Sequence, residues 1–130
     1  ADGVKSFANS VFSDTKFFEG NLTIVFAPEE LLREMKNSYF NEDAYTDVIA
    51  FRLDNKNEPF EGEIYISPIR AYENAQKYGE TIPRELARLI CHGYLHLLGY
   101  EDKSNTGKHA MLAEEDRLLK KFAPDQILNK

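Results

Sequence analysis

The sequence contains a single cysteine, Cys91, and therefore cannot form an intramolecular disulfide. A chain of 130 residues buries roughly two-thirds of its unfolded surface, so we expect it to fold without such a cross-link. The low cysteine count fits a reducing, cytoplasmic environment. No apolar run approaches the roughly 20 residues that span a bilayer. The N-terminal residues show no secretory pattern, so we predict neither a membrane partner nor a secretory signal.

The sequence also has fewer basic than acidic residues: it contains 16 Lys and Arg and 22 Asp and Glu, and its formal net charge is −6. Non-specific coating of nucleic acid depends on phosphate neutralisation by basic side chains, so the composition argues against that class of protein. A local basic groove remains possible, because net charge describes solubility and steering rather than one site. No repeat, low-complexity tract or long linker interrupts the chain, and residues 1–130 are predicted to form one domain.

Segments rich in β-branched and aromatic residues predict three strands, and apolar periodicity with capping signals predicts five helices. The first two strands flank a helix, which predicts a right-handed crossover and parallel pairing between them. The polar loop 54–59 is too short for a crossover, so the second and third strands are predicted to pair antiparallel. The expected fold is α+β or α/β: a small mixed sheet, with a parallel pair and an antiparallel strand, covered by about five helices. The predicted strands are 21–27, 46–53 and 63–67, and the predicted helices are 4–12, 28–39, 68–78, 82–98 and 105–122.

Two histidines four residues apart, His92 and His96, fall within one predicted helix. Residues at that spacing share a helix face, so both imidazoles can point at one ion. Gly99 permits the chain to turn back, and Asp102 follows in the returning stretch. This is the spacing of the extended zincin pattern with Asp in the last place. Two imidazoles and a carboxylate leave one position open for water, as catalytic zinc requires. We therefore predict one zinc ion per chain, on a helix and the loop after it.

Other residues near this motif offer alternatives. Glu101 and His109 are the other candidates for the third ligand. Cys91 points roughly 100° away from His92 on the helix and is predicted to be a core residue. Glu85 lies seven residues before His92, on nearly the same helical face. It either orients a ligand histidine or only occupies the first turn of its helix.

The stretch 92–102 reads H-G-Y-L-H-L-L-G-Y-E-D and resembles the H-G-x-L-H-L-x-G-Y-D-H signature of the YbeY family of rRNA maturation factors. T-D-V-I-A-F at 46–51 is similar to that family's T-D-V-L-S-F, and G-E-I-Y-I-S at 62–67 to its G-D-I-x-I-S. E-L at 85–86 is similar to the E-L before the metal helix, and the resemblance covers residues 22–120. It implies a mixed sheet with surrounding helices, a zinc ion, and cleavage of single-stranded RNA in 16S rRNA 3′ end maturation and ribosome quality control.

The sequence departs from this resemblance at two positions. Asp102 replaces a histidine; carboxylate is a legitimate zinc ligand, although it widens the metal preference towards harder ions. Phe40 replaces an arginine that the resemblance links to RNA phosphate. A phenylalanine ring can stack on a base, or it can simply pack under the end of its helix. The candidate compensating cations are Arg52, Arg88 and Lys103.

The sequence therefore predicts a metal-dependent endoribonuclease whose partners are single-stranded rRNA and the small ribosomal subunit. His92, with its metal, and Arg88 one turn earlier are the candidate catalytic residues. Two alternatives stay open. A ribosome-associated module with a structural metal would fit the acidic composition and the missing arginine. A zincin-like metallohydrolase of peptides is disfavoured, because Gly93 occupies the position of the general-base glutamate. The candidate substrate contacts are Phe40, Arg52 and Lys103.

Overall fold

The structure is a computed structural model that describes residues 2–14, 20–55 and 57–122. Five helices and three strands lie in these ranges, and their bounds agree with the predicted ones within three residues. Lys56 of the predicted polar loop, and the first and last residues of the predicted domain, lie outside the described ranges. The helices are α1 (Asp2–Ser13), α2 (Glu29–Phe40), α3 (Pro68–Tyr78), α4 (Ile82–Leu97) and α5 (Asn105–Lys121), and the strands are β1 (Gly20–Phe26), β2 (Val48–Arg52) and β3 (Phe60–Ile66).

Local capping sets the bounds of α3 and α4. The Ser67 hydroxyl accepts a hydrogen bond from the Arg70 N–H at 3.2 Å, and the Thr81 hydroxyl accepts one from the Arg84 N–H at 3.3 Å. Each bond satisfies a backbone donor that the first helical turn leaves unpaired. Gly79 ends α3 with a φ of 67°, which a glycine adopts without strain. These signals depend only on neighbouring residues, which is why the sequence predicts them well.

β3 is the central strand of the three-stranded sheet, whose order is β1-β3-β2. β2 runs antiparallel to β3, as predicted, and β1 runs parallel to β3. The predicted parallel pairing of the first two strands is therefore wrong, because β3 lies between them. The physical reason is burial. The side chains of Phe60, Ile64 and Ile66 are almost wholly inaccessible. A strand this deeply buried is favoured in the central position, where neighbouring strands pair with the backbone groups on both of its edges. The sheet remains a mixed one with a parallel pair and an antiparallel strand, and the α+β fold class is confirmed.

Helices cover both faces of the sheet. Alternate residues of β3, among them Ile64, face the main core formed with α1 and α4. Tyr65 lies against a smaller cluster around Leu32 and Ile49, which joins α2 to the opposite face. α3 and α5 both pack against α4, so α4 lies at the centre of the helical layer. Among the described helices, none is both long enough and apolar enough to cross a membrane.

Candidate metal centre

His92 and His96 project from α4 towards Asp102 in the loop that follows. The two Nε2 atoms are 3.2 Å apart, and the Asp102 Oδ2 atom lies 3.9 Å from the His96 Nε2. The ligand atoms of all three residues lie within 4.8 Å of one another. Ligand atoms about 2.1 Å from a tetrahedral ion are about 3.4 Å apart. The three predicted ligands therefore form a group that could hold one metal ion. Glu101 and His109 are not part of it.

A tight reversal after α4 brings Asp102 back to the histidines. Gly99 has a φ of 103°, and its N–H donates to the His96 carbonyl at 3.0 Å. The Tyr100 N–H donates to the Leu95 carbonyl at 3.0 Å. This pair of bonds is the usual way in which a glycine ends a helix. The chain turns back at Gly99, as predicted.

The partners of the two Nδ1 atoms determine the histidine tautomers. His92 Nδ1 lies 2.7 Å from the Glu115 carboxylate, and His96 Nδ1 lies 3.0 Å from the Tyr100 carbonyl oxygen. A carbonyl oxygen can only accept, and a carboxylate oxygen is an acceptor for a ring N–H, so both contacts favour the tautomer with its proton on Nδ1. This tautomer leaves the Nε2 lone pair for a metal ion. Two lone pairs facing each other across 3.2 Å repel unless a cation lies between them. The donor set therefore fits a metal ion.

Glu115 is a residue of the candidate site that the sequence analysis missed. It belongs to α5, is 3% exposed, and is buried together with Met111 and Leu118 of the same helix face. An acidic residue within an apolar helical stripe is the sequence signal that could have found it. Glu85 does not orient a ligand histidine, because Glu115 occupies that position beside His92. The first alternative offered for Glu85 is therefore wrong.

Glu85 instead anchors a polar network behind the site, although it is only 1% exposed. The Arg88 Nε and Nη2 atoms donate to its two carboxylate oxygens at 2.9 and 2.6 Å. This contact raises the pKa of the Arg88 guanidinium. The Asn74 amide donates to Glu85 at 3.1 Å and to Asp47 at 2.9 Å, which links α4 to the residues before β2. The direct catalytic contact predicted for Arg88 stays a prediction.

A cleft of about 550 Å³ opens beside the three candidate ligands, between α4, β2 and the end of α2. Phe40 and Lys36 of α2 contribute to its lining, together with the carboxylates of Glu42 and Asp47. Phe40 is 49% exposed and stacks on Phe51, with ring centroids 5.8 Å apart and planes 20° from parallel. The candidate contact Phe40 is thus brought to the cleft, and Lys36, which the sequence analysis did not single out, lies there too.

Arg52 and Lys103 lie outside the cleft lining, as does Arg88. Arg52 forms a bidentate pair with Asp54 at 2.7 and 3.1 Å, and it donates to the Leu97 carbonyl at 3.1 Å. Hydrogen bonds from Arg52 and from the Glu61 N–H lower the pKa of Asp54 to about 2. Lys103 is exposed in the loop after the third ligand. Substrate binding by Arg52 and Lys103 stays a prediction.

Gly93 of α4 packs against Ile64 of β3. A Cβ atom at this position would be 3.0 Å from the Ile64 Cγ2 atom, and the residue is buried. Zinc peptidases carry their general-base glutamate at this position. Here the Ile64 side chain of β3 occupies the space that a side chain at position 93 would need. Cys91 is wholly buried, and this burial raises the pKa of its thiol to about 12. It is a core residue, as predicted.

Fold and site together define a small α+β protein with a His–His–Asp cluster of the extended zincin spacing at the edge of a cleft. The family model for Endoribonuclease YbeY matches residues 2–123, and the chain belongs to this family. The resemblance inferred from the sequence motifs is thus confirmed.

Curated relatives cover most of this chain. The Endoribonuclease YbeY of Cytophaga hutchinsonii is 35% identical over 116 residues, which span 89% of this chain and 81% of the relative. That of Flavobacterium psychrophilum is 37% identical over 117 residues, with shares of 90% and 83%. A Thermotoga maritima protein solved in solution superposes with a TM-score of 0.61 over 97% of this chain and 85% of its own, at 24% identity. This last likeness concerns the fold alone.

Proposed function

We propose that this chain is a zinc-dependent endoribonuclease specific for single-stranded RNA. Family membership supports the reaction, and the two facing Nε2 lone pairs beside Asp102 support the metal. The proposed substrate is 16S rRNA of the small ribosomal subunit, and the proposed functions are its 3′ end maturation and ribosome quality control in the cytoplasm. One zinc ion per chain would bind through His92, His96 and Asp102.

The residues around the ligands orient them. Glu115 and the Tyr100 carbonyl hold the Nδ1 protons, so that both Nε2 atoms point into one place. A bound zinc ion would supply polarisation of a phosphate oxygen and acidification of a water. Asp102 adds a negative charge that a third histidine would not, and this charge tempers that acidification. The ligand side chains are 24%, 35% and 44% exposed in chain order, so a substrate can reach them.

Phe40 of the cleft lining belongs to an aromatic cluster near the candidate ligands. Phe40 stacks on Phe51, and Tyr39 meets the Phe51 ring edge-on at 5.2 Å. Stacking of a base on such a ring contributes about 1–3 kcal/mol. The bases of a duplex are already stacked on one another, so this surface favours unpaired nucleotides. Arg52 and Lys103 are proposed to contact RNA outside the cleft, and Arg88 to stabilise charge on the phosphate.

Two observations favour this proposal over its alternatives. A purely structural metal needs a fourth protein ligand, whereas the candidate group found in residues 2–14, 20–55 and 57–122 contains three residues. A peptidase of the usual zincin type needs a glutamate after the first histidine. Gly93 is packed against Ile64 at that position.

The direct test uses protein purified without a histidine tag and loaded with zinc. We expect it to cleave a labelled single-stranded RNA that carries the 16S 3′ end, and to leave the same strand intact in a duplex. His92→Ala should abolish cleavage and bound zinc while the far-ultraviolet circular dichroism is unchanged. His109→Ala is the matched control, because it removes a histidine of α5 that lies outside the cluster. Cleavage that survives His92→Ala would refute the proposed site, and cleavage of casein but not RNA would refute the reaction.

A further inference from the structure

Lys36 is the basic residue in the lining of the cleft. The lining includes the three candidate ligands, Phe40, Glu42 and Asp47, but neither Arg52 nor Arg88. Arg88 is held by Glu85, and Arg52 by Asp54. In the part of the chain that the structure describes, no hydrogen bond or ion pair engages the Lys36 ammonium group. This ammonium is therefore available to a ligand in the cleft.

The charges in the cleft show what Lys36 contributes. Three acidic residues and one lysine belong to its lining, so their formal charges sum to −2 with the histidines counted as uncharged. A divalent cation at the three ligands would bring the sum to zero, and without Lys36 the sum would stay at −1. An RNA phosphate entering the cleft would then meet net repulsion. A lysine ammonium is a compact charge on a flexible stem, which suits a contact with one phosphate oxygen.

The position of Lys36 on α2 adds a second argument. Lys36 and Phe40 are four residues apart, so they lie on the same face of the helix. Both line the cleft. A single helical face thus offers an aromatic surface for a base and an ammonium for the sugar–phosphate backbone. These are the two parts of a nucleotide that proteins use to bind single strands without base-specific contacts.

We propose that Lys36 binds a backbone phosphate of the RNA in the cleft, beside the three metal ligands. This inference rests on the proposed ribonuclease function. It adds, inside the cleft, a phosphate contact to those proposed for Arg52, Arg88 and Lys103.

Binding is measured by fluorescence anisotropy with the zinc-loaded full chain and a short 2′-O-methylated single strand, whose integrity is checked on a gel. Lys36→Gln should weaken binding about tenfold, the lower range for a hydrogen bond to a charged group. It should also make the dependence of log affinity on log salt concentration shallower by about 0.7, as expected for one lost phosphate contact. Lys36→Arg should keep the wild-type slope.

Lys77→Gln is the matched control, because it removes the same charge from the last turn of α3, away from the cleft lining. Zinc content is measured for every variant. If Lys36→Gln leaves the slope of log affinity against log salt concentration unchanged while the wild-type protein cleaves RNA, the assignment of Lys36 is overturned and the proposed ribonuclease function is not. Loss of zinc in that variant, or the same slope change in the control, would also overturn the assignment of Lys36. A wild-type protein that neither binds nor cleaves RNA would overturn the proposed function and this inference together.

Discussion

Glu115→Gln should weaken metal binding although Glu115 is not itself a ligand. Its Oε2 atom lies 2.7 Å from the His92 Nδ1, and the side chain is 3% exposed, so water does not screen the contact. A hydrogen bond with one ionised partner is roughly twice as strong as a neutral one. Glutamine keeps the shape and an accepting oxygen but loses the charge. Loss of such a partner typically costs 10- to 100-fold in metal affinity, which is about 1.4–2.8 kcal/mol.

The assay is a zinc titration in competition with a chromophoric chelator at fixed pH, with circular dichroism as the test of folding. Glu114→Gln is the control, because it removes the same charge from the preceding residue, whose carboxylate pairs with Arg117. A zinc affinity of Glu115→Gln within twofold of the wild type would refute the reasoning. Equal losses in the two variants would also refute it, since a general effect of charge would then explain both.

Three further variants test the surroundings of the site. Gly93→Glu should destabilise the fold by at least about 1–3 kcal/mol through overpacking against Ile64, and it should create no peptidase; unchanged stability in urea would contradict this. Gly99→Ala should cost about 1–2 kcal/mol because of its positive φ, with no steric contribution since the space around it is open; an equal urea midpoint would contradict this. The pKa of Asp54 is lowered to about 2 from an ordinary value of 3.8, so its contribution to stability is present above pH 3.8 and lost as the pH falls through 2. Asp54→Asn should therefore reduce the change in the free energy of unfolding between pH 3.8 and pH 2. An unchanged dependence of this free energy on pH would contradict the pairing with Arg52.

The helices and the antiparallel pairing of β2 with β3 follow from local information. Ser67, Thr81, Gly79 and Gly99 act through bonds to residues at most five positions away. The His92 motif is also local, because a helix fixes the relative positions of residues four apart. These features could therefore be predicted from the sequence.

The parts that escaped prediction depend on distant residues. Pairing of β1 with β3 joins Gly20 to Phe60, and the strand order follows from the burial of the whole sheet. Glu115 is 23 residues from His92, so no motif of short spacing contains both. Lys36 reaches the cleft only because α2 ends beside β2. A sequence pattern can name the chemical groups, but packing decides which of them meet.

The contact between Glu115 and His92 also couples two equilibria. Because a residue of α5 orients a ligand carried by α4, docking of α5 and occupation of the metal site favour each other. A ligand that binds only the native state, at a free concentration of 100 times its dissociation constant, adds about 2.7 kcal/mol to the free energy of unfolding. Zinc supply would therefore control how often α5 undocks, and hydrogen exchange in α5 would report the occupancy of a site to which this helix contributes no ligand.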